Sequence, residues 1–124
     1  MIYKTREFAR LTKKELISDK ALVDACQEIA AGLVDAHLGG YLYKKRVASQ
    51  SGGKRGGYRT LLGAVINNRY FFLYAFAKNV RANVTEKEKL ALRELAEEFI
   101  QFDTSQLEQL IESGELIKIG EVDE

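Results

Sequence analysis

Nine basic side chains lie between Asp35 and Glu86 with no Asp or Glu among them: Lys44, Lys45, Arg46, Lys54, Arg55, Arg59, Arg69, Lys78 and Arg81. Residues 1–35 hold six basic and six acidic residues, and residues 86–124 hold four basic against twelve acidic. The whole chain carries only +1, so the imbalance is one of placement. A positive field confined to one segment suits a polyanion, whose phosphates it can meet with charge-assisted hydrogen bonds. The densest stretch runs from Lys44-Lys45-Arg46 through Gly52-Gly53-Lys54-Arg55-Gly56-Gly57 to Tyr58-Arg59-Thr60. Glycines lack Cβ, so a backbone can approach closely and offer its amides to phosphate oxygens. The nucleotide fingerprints fail here. Arg55 follows Lys54 where a Walker loop needs Ser or Thr, and G-x-G-x-x-G does not occur in this window.

The plainest reading of such a charge run is a solvated hairpin loop. Three details point past it. The cations are not interspersed with acids, as on a solubilising surface. They recur on separate expected strands that a hairpin would bring together. Aromatic residues accompany them (Tyr41, Tyr43, Tyr58, Tyr74, Phe76), and an aromatic beside a guanidinium is suited to gripping single-stranded nucleotides. Tyr58 is the aromatic expected to touch a base, whereas the alternating row Tyr70, Phe72, Tyr74, Phe76 reads as core.

Other chemistries are poorly served. One histidine, His37, and one cysteine, Cys26, do not build the usual nitrogen and sulfur ligand sets, so no metal and no cofactor is expected. His37 precedes Gly39-Gly40 and reads as a helix-end residue. Cys26 falls on the apolar side of a helical pattern, as a buried reduced thiol. No stretch approaches the roughly 18 apolar residues of a membrane helix. Met1 to Arg10 lacks the apolar core of a secretory signal. A cytoplasmic location without membrane contact is the expectation.

The 124 residues fit a single domain spanning 1–124. Leu22, Ala25, Cys26, Ile29, Ala30 and Leu33 follow a helical rhythm after a cap at Ser18 or Asp19, and Gly39-Gly40 is the expected stop. A shorter helix is expected around Phe8 to Leu16. Leu92, Leu95, Ala96, Phe99 and Ile100 form a later helix behind the capping box Thr85-x-x-Glu88. Another is expected after Ser105-x-x-Glu108, ending at Gly114. Between these lie strand-like segments, Tyr41 to Ala48, Tyr58 to Ile66 and Arg69 to Ala77, with Asn67-Asn68 as a hairpin turn. The last is apolar on both faces, as a central strand covered on both sides would be. Glu115 to Gly120 is a candidate edge strand. The architecture predicted is α+β: a small antiparallel sheet of three to five strands, with N-terminal helices packed on it and C-terminal helices following.

Taken in order, Lys44-Lys45-Arg46-x-Ala48, Gly53-Lys54-Arg55-Gly56-Gly57-Tyr58-Arg59-Thr60 and Phe71-Phe72-Leu73-Tyr74-x-Phe76-Ala77-Lys78-Asn79 with Asn83 resemble the RelE/HigB family of bacterial type II toxins. The likeness is tightest over residues 41–100. It implies a small cytoplasmic protein that enters the ribosomal decoding site and cuts messenger RNA there, silenced by a wrapped antitoxin. Metal-free RNA cleavage needs a base for the 2′-hydroxyl, positive charge for the phosphoryl oxygens and help for the departing 5′-oxygen. The resemblance makes Lys45 and then Lys54 the candidate bases, since cations crowd lysine pKa values downward. Arg59 and Arg46 suit the phosphoryl oxygens, and Lys78 the leaving group or the RNA backbone. Lys44, Arg55, Tyr58, Asn79, Arg81 and Asn83 complete the expected RNA contacts. Residues 80–88 contain neither the tyrosine nor the histidine that several relatives carry after the last strand, leaving Asn79 or Asn83 to orient RNA.

Two rival functions share these residues. One is a non-catalytic RNA- or ribosome-binding module. The other is poisoning of DNA gyrase on the same scaffold, which would not need cations gathered in one cleft. In the catalytic reading, Arg59→Ala and Lys45→Ala each relieve toxicity with the fold intact. The acidic segment 86–124 reads as the solvated faces of two helices, with a screen over the basic groove as the alternative.

Overall fold

The computed structural model describes residues 1–15, 17–49 and 53–121, with side chains for all of these except 15, 49 and 53–57. Its elements in chain order are β1 (Ile2–Thr5), α1 (Arg6–Thr12) with a 3₁₀ turn (Lys13–Glu15), α2 (Asp19–Ala30), β2 (Ala36–His37), β3 (Leu42–Ser49), β4 (Gly53–Val65), β5 (Arg69–Ala77), α3 (Glu86–Gln101), α4 (Thr104–Glu112) and β6 (Leu116–Gly120). Among the described residues the sheet has six strands, in the order β2-β3-β4-β5-β1-β6. The class is α+β as expected, but the sheet is larger than three to five strands and it is mixed. β1 lies parallel to β5, with Ile2 opposite Tyr70, and antiparallel to β6. Ile2, Tyr3 and Thr5 favour a strand, but four residues passing straight into a helix are too short a run to announce one. β1 is held instead by distant neighbours: Met1 donates its terminal amine to Asn68 O at 2.7 Å, and Ile2 and Tyr3 are buried.

Helix ends follow side-chain chemistry closely. Thr5 Oγ1 accepts from the Phe8 amide at 3.0 Å to start α1, and Ser18 caps α2. Leu16, the expected end of the first helix, lies outside the described residues. α2 stops at Ala30, well before Gly39-Gly40. The Leu33 amide bonds Glu28 O at 2.9 Å and the Gly32 amide bonds Ile29 O at 2.9 Å, while Gly32 takes φ +94°. This is a Schellman turn, and it leaves Leu33 60% exposed rather than on the apolar face. Both halves of the Thr85/Glu88 capping box are formed. α4 is capped by Asp103 with Gln106, two residues before the expected Ser105.

The sheet is apolar on both faces, as β5 foretold. α1 and α2 cover one face, where Phe8, Leu22, Cys26 and Ile29 meet Val47, Leu62, Tyr70 and Phe72. α3 and α4 cover the other, where Ala96 and Leu107 meet Leu42, Leu61, Phe71, Leu73 and Phe76. The expected alternation along β5 breaks midway. Leu61 pairs with Tyr74 and Leu62 with Phe72, so Leu73 is an extra residue. Tyr70 and Phe72 therefore face α1 and α2, while Tyr74 and Phe76 pack on the α3 side. Asn67 takes φ +69° in the β4–β5 hairpin, as predicted. α3 sits close to β4, since a Cβ built on Gly63 would lie 2.7 Å from Ala96 Cβ. β6 takes the edge position foreseen for residues 115–120.

Candidate nucleic-acid interface

Neighbouring residues on a strand point to opposite faces, so Lys44-Lys45-Arg46 must divide. Val47 and Tyr58 are cross-strand partners inside the α2-side core, which fixes Lys45 on that face and Lys44 and Arg46 on the other. Arg46 pairs directly with Arg59, and Arg59 pairs with Phe76. A row Arg46–Arg59–Phe76 thus crosses three strands on the α3 side. Neighbouring strands are about 5 Å apart, so two guanidinium groups start from adjacent backbones and can reach one phosphate. Arg46 is exposed and Arg59 half-buried. No described acid pairs with Lys44, Arg46, Arg59 or Lys78.

Lys45 is placed differently. It is 6% exposed, donates to Leu33 O at 2.7 Å and pairs with Glu28 Oε1 at 2.9 Å. Glu28 lies in the C-terminal turn of α2 and Leu33 in the Schellman turn that follows it, at the helix end whose dipole favours a cation. The first candidate base thus ties β3 to α2, on the sheet face opposite Arg46 and Arg59. The signal was in the sequence, because Tyr43, Lys45 and Val47 share one strand face.

Two further cations of the basic segment are also engaged. Arg69 Nη1 donates to Ile100 O at 3.3 Å and Phe102 O at 2.5 Å, closing the end of α3. Arg81 meets Glu88 with both ends of its fork, Nη1 to Oε2 at 3.1 Å and Nη2 to Oε1 at 2.6 Å. Hydrogen bonding to Arg81, joined by the Thr85 amide, pulls the Glu88 carboxyl down to about 2. The Arg81 group lies over the Phe76 ring, 5.9 Å from its centre. A segment without acids in sequence therefore recovers them in space: Glu28 at Lys45, Glu88 at Arg81, and Asp35, whose carboxylate accepts from the Arg46 amide. No local pattern announces these pairings, although the capping box had already marked Glu88.

The remaining candidates separate as follows. Lys78 and Asn79 are exposed in the turn after β5. Asn83 serves its own loop, its Oδ1 accepting from the Val84 amide at 2.9 Å and its carbonyl from Arg81 Nε at 3.0 Å. Tyr58 is 9% exposed and part of the α2-side core, which leaves little ring for a base. Lys54 and Arg55 lie on β4, and their side chains fall outside the described residues. His37 is in β2 rather than at a helix end, stacked on Tyr43 at 4.6 Å with Nε2 donating to Gly40 O at 2.8 Å. Among the described residues no group of His, Cys, Asp or Glu could hold a metal, and no described helix is long and apolar enough to cross a membrane. Glu94, Glu97, Glu98, Glu108 and Glu112 are exposed on α3 and α4, as solvated helix faces would be.

Comparison with protein families matches residues 1–119 to the family described as the RelE toxin of the RelE / RelB toxin-antitoxin system. No curated protein matches the chain. The match covers every element from β1 through most of β6, so it includes the Arg46–Arg59 face and the edge strand beyond it.

Proposed function

The chain belongs to the RelE toxin family, which gives it an antitoxin for a partner, and on that premise we propose that it is a ribosome-dependent endoribonuclease that cuts messenger RNA and stops translation. The observation that supports this reading most is the facing pair Arg46 and Arg59, on a sheet face where no described acid forms an ion pair with either guanidinium.

In this reading one RNA phosphate sits across Arg46 and Arg59. The 2′-oxygen attacks the adjacent phosphorus, a 2′-O–P bond forms, and the P–O bond to the 5′-oxygen breaks. The two guanidinium groups stay charged and fork onto the nonbridging oxygens as negative charge builds there. Lys54 takes the proton of the 2′-hydroxyl, and Lys78, just past β5, delivers one to the departing 5′-oxygen. Lys44 and Arg55 hold neighbouring phosphates. Lys45 acts indirectly, by fixing the strand that carries Arg46. The products are a 2′,3′-cyclic phosphate and a 5′-hydroxyl.

Induction in cells followed by mapping of transcript ends tests the proposal. Rapid translation arrest with cut transcripts bearing cyclic phosphates is the expected result. Arrest with intact transcripts would leave a binding module, DNA-damage signalling would indicate a gyrase poison, and 3′-hydroxyl ends would exclude this chemistry.

A further inference from the structure

Asp35 is the last acid before the basic segment, and its carboxylate reaches the backbone of Arg46. β2 pairs with β3 only through Ala36 opposite Lys44 and His37 opposite Tyr43. Before Ala36 the chain comes off the end of α2, with Val34 packed against the core on that side. Among the described residues, therefore, no strand lies opposite Arg46 on the open edge of β3. Asp35 fills the gap. Its amide donates to Lys44 O at 3.1 Å, and its Oδ2 accepts from the Arg46 amide. In an antiparallel pair, a residue whose N–H points away from the partner strand occupies a non-hydrogen-bonded position. Arg46 and Arg59 thus form such a pair, with Cα atoms about 4.5 Å apart and side chains at their closest. Like charges placed directly opposite repel, and β4 gives the Arg46 amide no ladder bond to hold it against that repulsion. Just beyond, the register with β4 slips between Val47 and Ser49.

We infer that Asp35 is a positioning residue for the proposed RNA cleavage: it stands in for the missing edge strand, holds the Arg46 backbone, and so aims the Arg46 guanidinium at the phosphate shared with Arg59. It touches neither RNA nor the reacting atoms. Leu33 works beside it, since its carbonyl accepts from Lys45 on the other face of β3. Residues 33–35 are thus a strap that couples the end of α2 to two successive residues of the strand carrying Arg46. A carboxylate beside a phosphate site opposes RNA by its charge. What Asp35 contributes is therefore the accepted hydrogen bond, and an uncharged acceptor of the same shape should serve as well.

The inference rests on the cleavage reading, and its test separates the two. Amide hydrogen exchange by NMR reads the contact without RNA. The Arg46 amide should be protected in wild type and in Asp35→Asn, and should exchange about tenfold faster in Asp35→Ala. Single-turnover cleavage of ribosome-bound messenger should slow about three- to tenfold in Asp35→Ala, with melting little changed because the side chain is exposed. Asp35→Asn, whose amide oxygen accepts the same bond, should restore the rate. In an Arg46→Ala background, Asp35→Ala should change cleavage by less than roughly twofold, since the group it aims is gone. An equal loss with and without the Arg46 side chain overturns the positioning role and leaves the nuclease reading standing. So does failure of Asp35→Asn to rescue, or an unprotected Arg46 amide in wild type. Wild-type protein that cuts no ribosome-bound messenger, though its Arg46 amide is protected, overturns the cleavage reading and the positioning role together.

Discussion

Lys45 Nζ lies 2.9 Å from Glu28 Oε1 and closes the C-terminal turn of α2 onto β3. Removing Glu28 takes the carboxylate from a Lys45 side chain that is only 8% exposed. Lys45→Ala and Glu28→Gln are each expected to lower stability by about 1–3 kcal/mol in urea unfolding. The double variant should lose less than the two single losses together, because the pair is shared. This revises the expectation that Lys45→Ala leaves the fold intact. Wild-type stability in Lys45→Ala would show the contact to be incidental.

The Arg81–Glu88 pair gives an acid-side signature. The Glu88 carboxyl is depressed from 4.5 to about 2, first through its hydrogen bonds to Arg81. A lowered folded-state pKa means a contribution fully present above pH 4.5 that is lost as pH falls toward 2. The melting difference between wild type and Glu88→Gln should be constant from pH 7 to 5 and shrink below. In Arg81→Gln the carboxyl should titrate near the ordinary value by NMR. A normal Glu88 titration in wild type would contradict the geometry.

Cys26 is fully buried among Phe8, Leu22 and Ile29, and burial pushes its thiol well above the ordinary range. A neutral thiol with no solvent access is a poor nucleophile. Disulfide-exchange reagents should label it only at the rate of unfolding, and urea should accelerate labelling in step with loss of structure. Because the folded-state value is raised, the stabilisation holds below pH 9 and fades above it. Fast stoichiometric labelling of the folded protein at neutral pH would rule this packing out.

Gly63 lets α3 rest against β4, with room for no Cβ beside Ala96. Its φ is not in the left-handed region, so the constraint is crowding alone. Gly63→Ala is expected to cost about 1–3 kcal/mol. Adding Ala96→Gly should recover part of this loss despite the lower helix propensity of glycine. No recovery would mean that the helix does not meet the strand there.

What the sequence revealed was what local chemistry decides. The Thr85/Glu88 box, the Asn67 turn and the two-sided apolar β5 each carry their signal within a few residues, and the structure shows them. β1 was invisible because its partners Tyr70 and Lys118 are remote in sequence. The bulge at Leu73 was invisible because residues 70–77 are apolar throughout, so nothing marks a change of phase. At the candidate site, the concentration of cations was plain, and strand alternation divides them, with Lys45 on the face of Tyr43 and Val47. Lys45 and Arg46 adjoin in sequence, but strand geometry puts one in the core and the other on the surface. Arg69 and Arg81 are engaged by partners 31 or more residues and seven residues away, which composition does not register.

The central claim is that Arg46 and Arg59 act together on one phosphate. Cleavage of ribosome-bound messenger by wild type, Arg46→Ala, Arg59→Ala and the double variant tests it most directly. Each single change should slow cleavage about 10²–10³-fold with melting unchanged. The double change should cost clearly less than the product of the two, since both groups serve one oxyanion. Wild-type cleavage by the double variant would contradict the account.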